Sequence, residues 1–248
     1  EVLTSALPDM PEAVPVISLS KGLEKDTRMR MTEIIGEVAP ACISGVLTGP
    51  NLAREIIAGQ AAASVLALEQ HEAALALQSV LNGGLFRVYT NGDVIGCELG
   101  GVLKNIIAIA VGMGDGLGAG DNTRAALITR GLAEMGRLGK ALGGRAETFA
   151  GLAGMGDMIA TCTSPQSRNR HVGMELAKGR RIEDIIDSMH MVAEGVKSAP
   201  TVIELARENQ ISLPISEDVY RVITGESNAR GVYRGLLRVA AGAESEPG

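Results

Sequence analysis

The spacing of apolar and polar positions along this chain changes once, near residue 92. Before that point short apolar runs alternate with amphipathic stretches. Residues 14–20 read as a strand, 23–38 as a helix, and 41–47 as a second strand broken by Gly49-Pro50-Asn51. A helix at 52–58, a strand at 62–68, a helix at 72–81 and a strand at 86–90 follow. Such alternation predicts an α/β unit on a parallel sheet, the latter half of a doubly wound, Rossmann-like fold. From residue 92 onward the strand pattern stops, and alanine- and leucine-rich segments at 3.6-residue spacing take over, separated by glycine-rich turns. Helices are expected near 94–112, 122–142, 147–154, 167–178, 181–188, 195–209, 214–224 and 228–238, with 114–120 a hinge-like loop and 243–248 frayed. The fold class is therefore α/β plus all-α, with domains at 1–91 and 92–248.

Composition narrows the chemistry. The chain has 248 residues, a net charge of −6 and 46% hydrophobic content, enough for one large or two modest cores. No basic excess points to nucleic acid or an anionic membrane, and the scarcity of aromatics (2%) argues against base-stacking platforms. Cys42, Cys97 and Cys162 lie too far apart for a zinc site or a redox pair, which fits reduced thiols in a cytoplasmic protein. The most apolar region, 94–113, contains Glu98 and Lys104. Each would cost roughly 2.5–3.5 kcal/mol at a bilayer centre, so a buried helix is expected there rather than a membrane span.

Four segments and two smaller features could carry chemistry. The loop 114–120 fits G-x-G-x-x-A through Gly114, Gly116 and Ala119. It follows a helical segment, however, and Asp115 would repel a pyrophosphate, so a plain helix–helix turn is the expectation. Lys104 interrupts a helix that should be buried on most sides. It is either a snorkelling lysine or a desolvated one whose lowered pKa lets it give and take a proton. Gly100, Gly101 and Asn105 beside it leave room for a ligand and add a polar group. Asp157 stands between a glycine-rich turn and an apolar stretch, as an N-cap or as the partner of Lys104 or of a substrate hydroxyl. Residues 163–170 gather hydroxyls, an amide and the guanidinium groups of Arg168 and Arg170 near a predicted helix start, an arrangement suited to a phosphate. Lys21 and Asn51 fall just past predicted strand ends, where open α/β sheets bind ligands, although an exposed turn lysine and a helix cap would explain them equally.

Taken in order, Ser20-Lys21-Gly22-Leu23-Glu24, Gly49-Pro50-Asn51-Leu52-Ala53, the run from Cys97 to Asn105, the run from Gly151 to Cys162, Ser167-Arg168-Asn169-Arg170 and Val192-Ala193-Glu194-Gly195 resemble the bacterial, soluble, NAD(P)-dependent glycerol-3-phosphate dehydrogenases. The resemblance spans most of the chain. It implies that 1–91 is part of a dinucleotide-binding domain and 92–248 a helical substrate domain. The implied reaction is hydride transfer between NAD or NADP and C2 of dihydroxyacetone phosphate, giving sn-glycerol 3-phosphate for phospholipid synthesis. It also implies that Lys104 is the proton donor and acceptor and that Asp157 is a catalytic carboxylate in the substrate site. Lys21, Gly49 and Asn51 would contact substrate, with Ser167, Arg168 and Asn169 at its phosphate end. Lys21, Ala53, Arg168, Val192 and Glu194 would touch the dinucleotide. The assembly is compatible with a homodimer.

Two features depart from the family pattern. Asn51 stands where many members have Ser or Thr, a change that keeps a donor and an acceptor. The strand and glycine-rich turn with which family members begin have no counterpart before Ser20, so the chain reads as a fragment, and a non-catalytic, phosphate-binding or dimer-forming remnant is the alternative expectation.

Overall fold

The computed structural model describes residues 2–11, 13–189 and 193–236, with side chains to residue 233. After a short α1 (Val2–Ala6) and a 3-10 turn (Leu7–Asp9), the first part contains β1 (Pro15–Ser18), α2 (Met31–Val38), β2 (Ile43–Thr48), α3 (Ala53–Ile57), β3 (Ala62–Ala67), α4 (His71–Leu81) and β4 (Phe86–Asn91). The helix expected over 23–38 begins only at Met31. Residues 24–30 instead form a turn in which Arg28 adopts a left-handed φ of 62°, and Glu33 starts α2 by accepting from the Arg30 N–H at 2.8 Å.

The strands lie in the order β1-β2-β3-β4. The parallel sheet expected from the sequence is corrected to a mixed one: β1–β2 and β3–β4 are parallel, whereas β2 and β3 are antiparallel. Length explains the reversal. A parallel return must carry the chain back along a six-residue strand, about 20 Å, while the five residues of α3 rise about 7.5 Å. The chain therefore re-enters the sheet at the end where it left. Alternation along the strands sends Val46, Val65 and Ala67 to one face, against Val94 and Cys97, and Leu66, Leu68 and Val88 to the other.

The second part is helical: α5 (Val94–Gly116), α6 (Asp121–Ala141), α7 (Ala146–Ala150), α8 (Asp157–Thr163), α9 (Arg168–Ala177), α10 (Ile182–Asp187), α11 (Glu194–Glu208), α12 (Pro214–Ile223) and α13 (Ala229–Leu236). α5 is its axis and is buried along nearly its whole length. By length and composition α5 could cross a membrane, but 94% of its apolar window is buried inside the protein. Its charges are each partnered. Glu98 accepts from the Thr32 N–H and from Arg30, both at 2.9 Å, and Asp115 is paired with Arg124 and Arg170.

Two sequence expectations change here. The hinge-like loop at 114–120 shrinks, because α5 continues to Gly116 and Gly118, at φ 83°, makes the turn. The single helix expected at 147–154 is α7 followed by a π-helical turn (Leu152–Gly156), and α8 was not foreseen. Gly154 permits this tight path, since a Cβ there would lie 2.2 Å from the Phe149 carbonyl oxygen. The expected frayed segment 243–248 lies outside the described residues.

Candidate active site

α5 runs beneath the carboxyl end of β2 and carries Lys104 to the junction of sheet and helices. The helix can pass so close because Gly100 and Gly101 lack side chains. A Cβ on Gly100 would meet the Ala153 carbonyl at 2.7 Å, and one on Gly101 would meet the Lys21 stem at 3.2 Å and Thr48 Oγ1 at 3.3 Å. One helical turn later, Lys104 Nζ donates to Asp157 Oδ1 at 2.6 Å and to Thr161 Oγ1 at 2.6 Å, with only 7% of its side chain exposed. The lysine does not snorkel. Burial, and then the neighbouring charge of Lys21, lower its pKa to about 8, against the opposing pull of Asp157.

Asp157 opens α8 as its first residue rather than capping it, which removes the N-cap reading. The turn before it aims the carboxylate inward, where it is shared. Oδ1 takes Lys104, and Oδ2 takes Lys21 Nζ at 2.6 Å. Lys21, just beyond β1, also donates to the Gly49 carbonyl at 3.0 Å and to Asn51 Oδ1 at 3.1 Å. Gly49 allows this bend at φ 114°, packed against β3 at Ser64. Lys21, Gly49, Asn51, Lys104 and Asp157 thus form one connected cluster. Ala53 is exposed at the start of α3, next to it in sequence.

A second network leads from Asn105. Its Oδ1 accepts from Asn169 Nδ2 at 2.9 Å, and its Nδ2 donates to the Gly101 carbonyl at 3.2 Å and to Glu194 Oε2 at 3.4 Å. Glu194 thus faces Asn105, and its charge adds a small upward pull on the Lys104 pKa. Val192 lies outside the described residues.

Of the anion cluster expected at 163–170, Ser167 and Arg170 are engaged elsewhere. Ser167 caps α9 by accepting from the Arg170 N–H at 3.2 Å, and Arg170 Nε is taken by Asp115 Oδ2 at 2.7 Å. Arg168 lies exposed at the first position of α9, and Asn169 is buried. Sequence reasoning missed Thr161, which binds the lysine and lies 3.2 Å from Asp157 Oδ1. Its i+4 spacing from Asp157, on one face of a helix, was the available signal. The two buried cysteines are quiet: burial pushes the thiols of Cys97 and Cys162 up to about 12.

A Rossmann-like sheet feeding an all-helical domain, with a carboxylate-held lysine buried where they meet, is an architecture of dehydrogenases. Residues 93–234 match the family model described as the NAD-dependent glycerol-3-phosphate dehydrogenase C-terminus, and residues 1–74 match that of its N-terminus. A glycerol-3-phosphate dehydrogenase [NAD(P)+] of Sphingopyxis alaskensis is 67% identical over 95% of this chain and 71% of its own length. One from Mycobacterium avium is 51% identical over 98% of this chain and 71% of its own. The crystal structure of a glycerol-3-phosphate dehydrogenase from Coxiella burnetii superposes with a TM-score of 0.90 at 38% identity, covering 96% of this chain and 73% of that one. The chain belongs to the NAD-dependent glycerol-3-phosphate dehydrogenase family.

Proposed function

We propose that this chain carries the acid–base and substrate-binding machinery for interconverting dihydroxyacetone phosphate and sn-glycerol 3-phosphate with NAD or NADP, in a cytoplasmic protein that supplies glycerol 3-phosphate for phospholipid synthesis. The observation that carries this reading is the buried Lys104, bonded to Asp157 and Thr161, with its pKa brought to about 8. When bound, the nicotinamide supplies or takes up the hydride. As C2 gains a hydride, the carbonyl π electrons move to oxygen, and the Lys104 ammonium supplies the proton that leaves a hydroxyl. In the reverse direction the neutral amine accepts that proton. Asp157 holds the ammonium, and Thr161 fixes its direction.

Lys21, Gly49 and Asn51 line the substrate side, with the phosphate assigned to the start of α9, where Ser167, Arg168 and Asn169 lie. The residues present fit the nicotinamide end of the cofactor. Glu194 offers a carboxylate next to Asn105, and the buried Thr48 Oγ1 has no hydrogen-bond partner among the described residues. Lys21, Ala53, Arg168, Val192 and Glu194 are the proposed cofactor contacts. The working division is a dinucleotide-binding part at 1–91 and a substrate domain at 92–248, in a homodimer that sedimentation would test.

The deciding experiment follows nicotinamide absorbance with dihydroxyacetone phosphate as acceptor. Substrate-dependent oxidation of NADH or NADPH is expected, and its absence with both would remove the assignment. Arg168→Ala is expected to raise the KM for dihydroxyacetone phosphate by roughly 10- to 100-fold, the loss of one charge-assisted contact.

A further inference from the structure

Asp115 stands in the last turn of α5, about three helical turns past Lys104. A carboxylate is out of place there, because the unpaired carbonyls of a helix's last turn already carry partial negative charge. It is also buried, with 7% of its side chain exposed. Two guanidinium groups answer it from two other helices. Arg170 Nε donates to Oδ2 at 2.7 Å, and Arg124 donates to Oδ1 through Nη2 at 2.9 Å and Nε at 3.1 Å. Each arginine is as badly placed for its own helix as Asp115 is. Arg170 is the third residue of α9 and Arg124 the fourth of α6, where the helix dipole disfavours a cation. All three charges oppose their own helix and suit a neighbouring one, so the cluster works between helices.

α9 needs such a link. Where it crosses α5 the two backbones meet at Gly112 and Gly173, with no room for a Cβ on either. Interlocking side chains fix the register of most helix pairs, and glycines supply none. Register falls instead to the polar attachments beside the crossing. Asn169 Nδ2 donates to Asn105 Oδ1 at 2.9 Å near Lys104, and Arg170 reaches Asp115 further along α5. Arg170 also belongs to the cap of its own helix, since its N–H donates to Ser167 Oγ at 3.2 Å. Asp115 thereby holds the turn that carries Ser167, Arg168 and Asn169, the turn assigned to the substrate phosphate.

We propose that Asp115 is a positioning residue: through Arg170 it fixes where the first turn of α9 lies along α5, and so sets the affinity for the phosphate end of the substrate. The kinetic consequence rests on the reaction proposed above; the hold on α9 does not.

The test joins steady-state kinetics to backbone amide exchange read by NMR. Asp115→Asn keeps the shape of the side chain and removes its charge. It is expected to raise the KM for dihydroxyacetone phosphate roughly tenfold, while kcat and the KM for NADH or NADPH stay within about threefold. Arg170→Gln cuts the same link from its less buried end and should have the same effect. The double variant should lie within about twofold of either single one, as expected when two changes remove one interaction. Glu175→Gln is the control for a general loosening of α9. It releases Lys178 and Arg180, bound at 2.6 and 2.9 Å at the other end of that helix, and should leave the KM within about twofold of the parent. The Arg170 N–H should exchange roughly tenfold faster in Asp115→Asn, as the capped turn loosens. Additive effects in the double variant, or a KM raised as much by Glu175→Gln, would overturn the proposal. So would a lowered KM in Asp115→Asn, which would mean that the released Arg170 takes the phosphate itself. Should the parent protein show no turnover, the reaction assignment falls and Arg170 exchange still decides: faster exchange supports the hold of Asp115 on α9, and unchanged exchange overturns it.

Discussion

Lys104 Nζ lies 2.6 Å from Asp157 Oδ1, and that carboxylate also holds Lys21 on its other oxygen. One negative charge is thus shared between two ammonium groups in a buried place, so neither lysine is fully neutralised. Asp157 pulls the Lys104 pKa up while burial and Lys21 pull it down. Asp157→Asn removes the upward pull. Turnover is expected to fall by about 10²- to 10³-fold, and the titration of the residual activity should move below pH 8. A pH–rate profile of the variant checks this; an unmoved titration would separate Asp157 from the lysine.

The same value sets the direction of the pH dependence in the parent protein. Ketone reduction needs the Lys104 ammonium, so its rate should decline as pH rises through about 8. Alcohol oxidation needs the neutral amine, and its rate should climb through the same window. Measuring kcat/KM in both directions across that range should give mirror-image limbs, and parallel limbs would exclude Lys104 as the proton carrier.

Replacing the lysine separates chemistry from stability. Lys104→Met is expected to lower kcat/KM by about 10²- to 10⁴-fold without loss of fold. Because the folded pKa of about 8 lies below the ordinary 10.5, the unfolded chain binds more protons between those values. The Lys104 contribution to stability therefore improves as pH rises from 8 to 10.5. Urea unfolding at both ends of that window should show a gain in the parent that is reduced in the methionine variant.

The parts of this molecule that periodicity governs were legible from its sequence. The buried run around Lys104 had to be a helix with an unusual lysine, and it is. Relations between distant segments were not legible. The reversal of β3 against β2 is missed although its cause, the short helix expected at 52–58, is in view: alternation of strand and helix predicts a parallel sheet until the reach of that helix is considered. Thr161 draws no notice because no helix is expected at 157–163, and only α8 turns it towards Lys104. Arg170 looked like part of an anion site, but Asp115, fifty-five positions earlier, takes it.

Glu134 offers a test of long-range capping away from the site. Buried on α6, it accepts from the Ile215 N–H at 2.5 Å, the Ser216 N–H at 3.1 Å and Ser216 Oγ at 2.7 Å, serving the first turn of α12. Burial raises its pKa despite these bonds. Glu134→Ala strands two buried N–H groups and is expected to destabilise the protein by about 2–4 kcal/mol. Urea denaturation gives the value, and kcat/KM measured well below the transition should stay within about twofold of the parent.

The contact between α5 and α9 supplies the most severe expected defect. These helices meet backbone to backbone: a Cβ on Gly112 would lie 2.0 Å from the Arg170 carbonyl oxygen, and one on Gly173 would lie 2.1 Å from that of Ile109. Neither obstacle is a flexible side chain that could swing aside, so an added methyl must push the helices apart. Intrinsic helix propensity favours Ala over Gly by about 1 kcal/mol, so an open site would gain stability from the change. Gly136, in α6, has nothing within 4 Å of its Cβ position and provides that control. Gly136→Ala should stabilise slightly, whereas Gly112→Ala and Gly173→Ala should each cost about 3 kcal/mol or more as overpacking overrides propensity. Separation of the helices would also displace Arg170 from Asp115 and Asn169 from Asn105. Equal stability of the three variants would refute the close crossing.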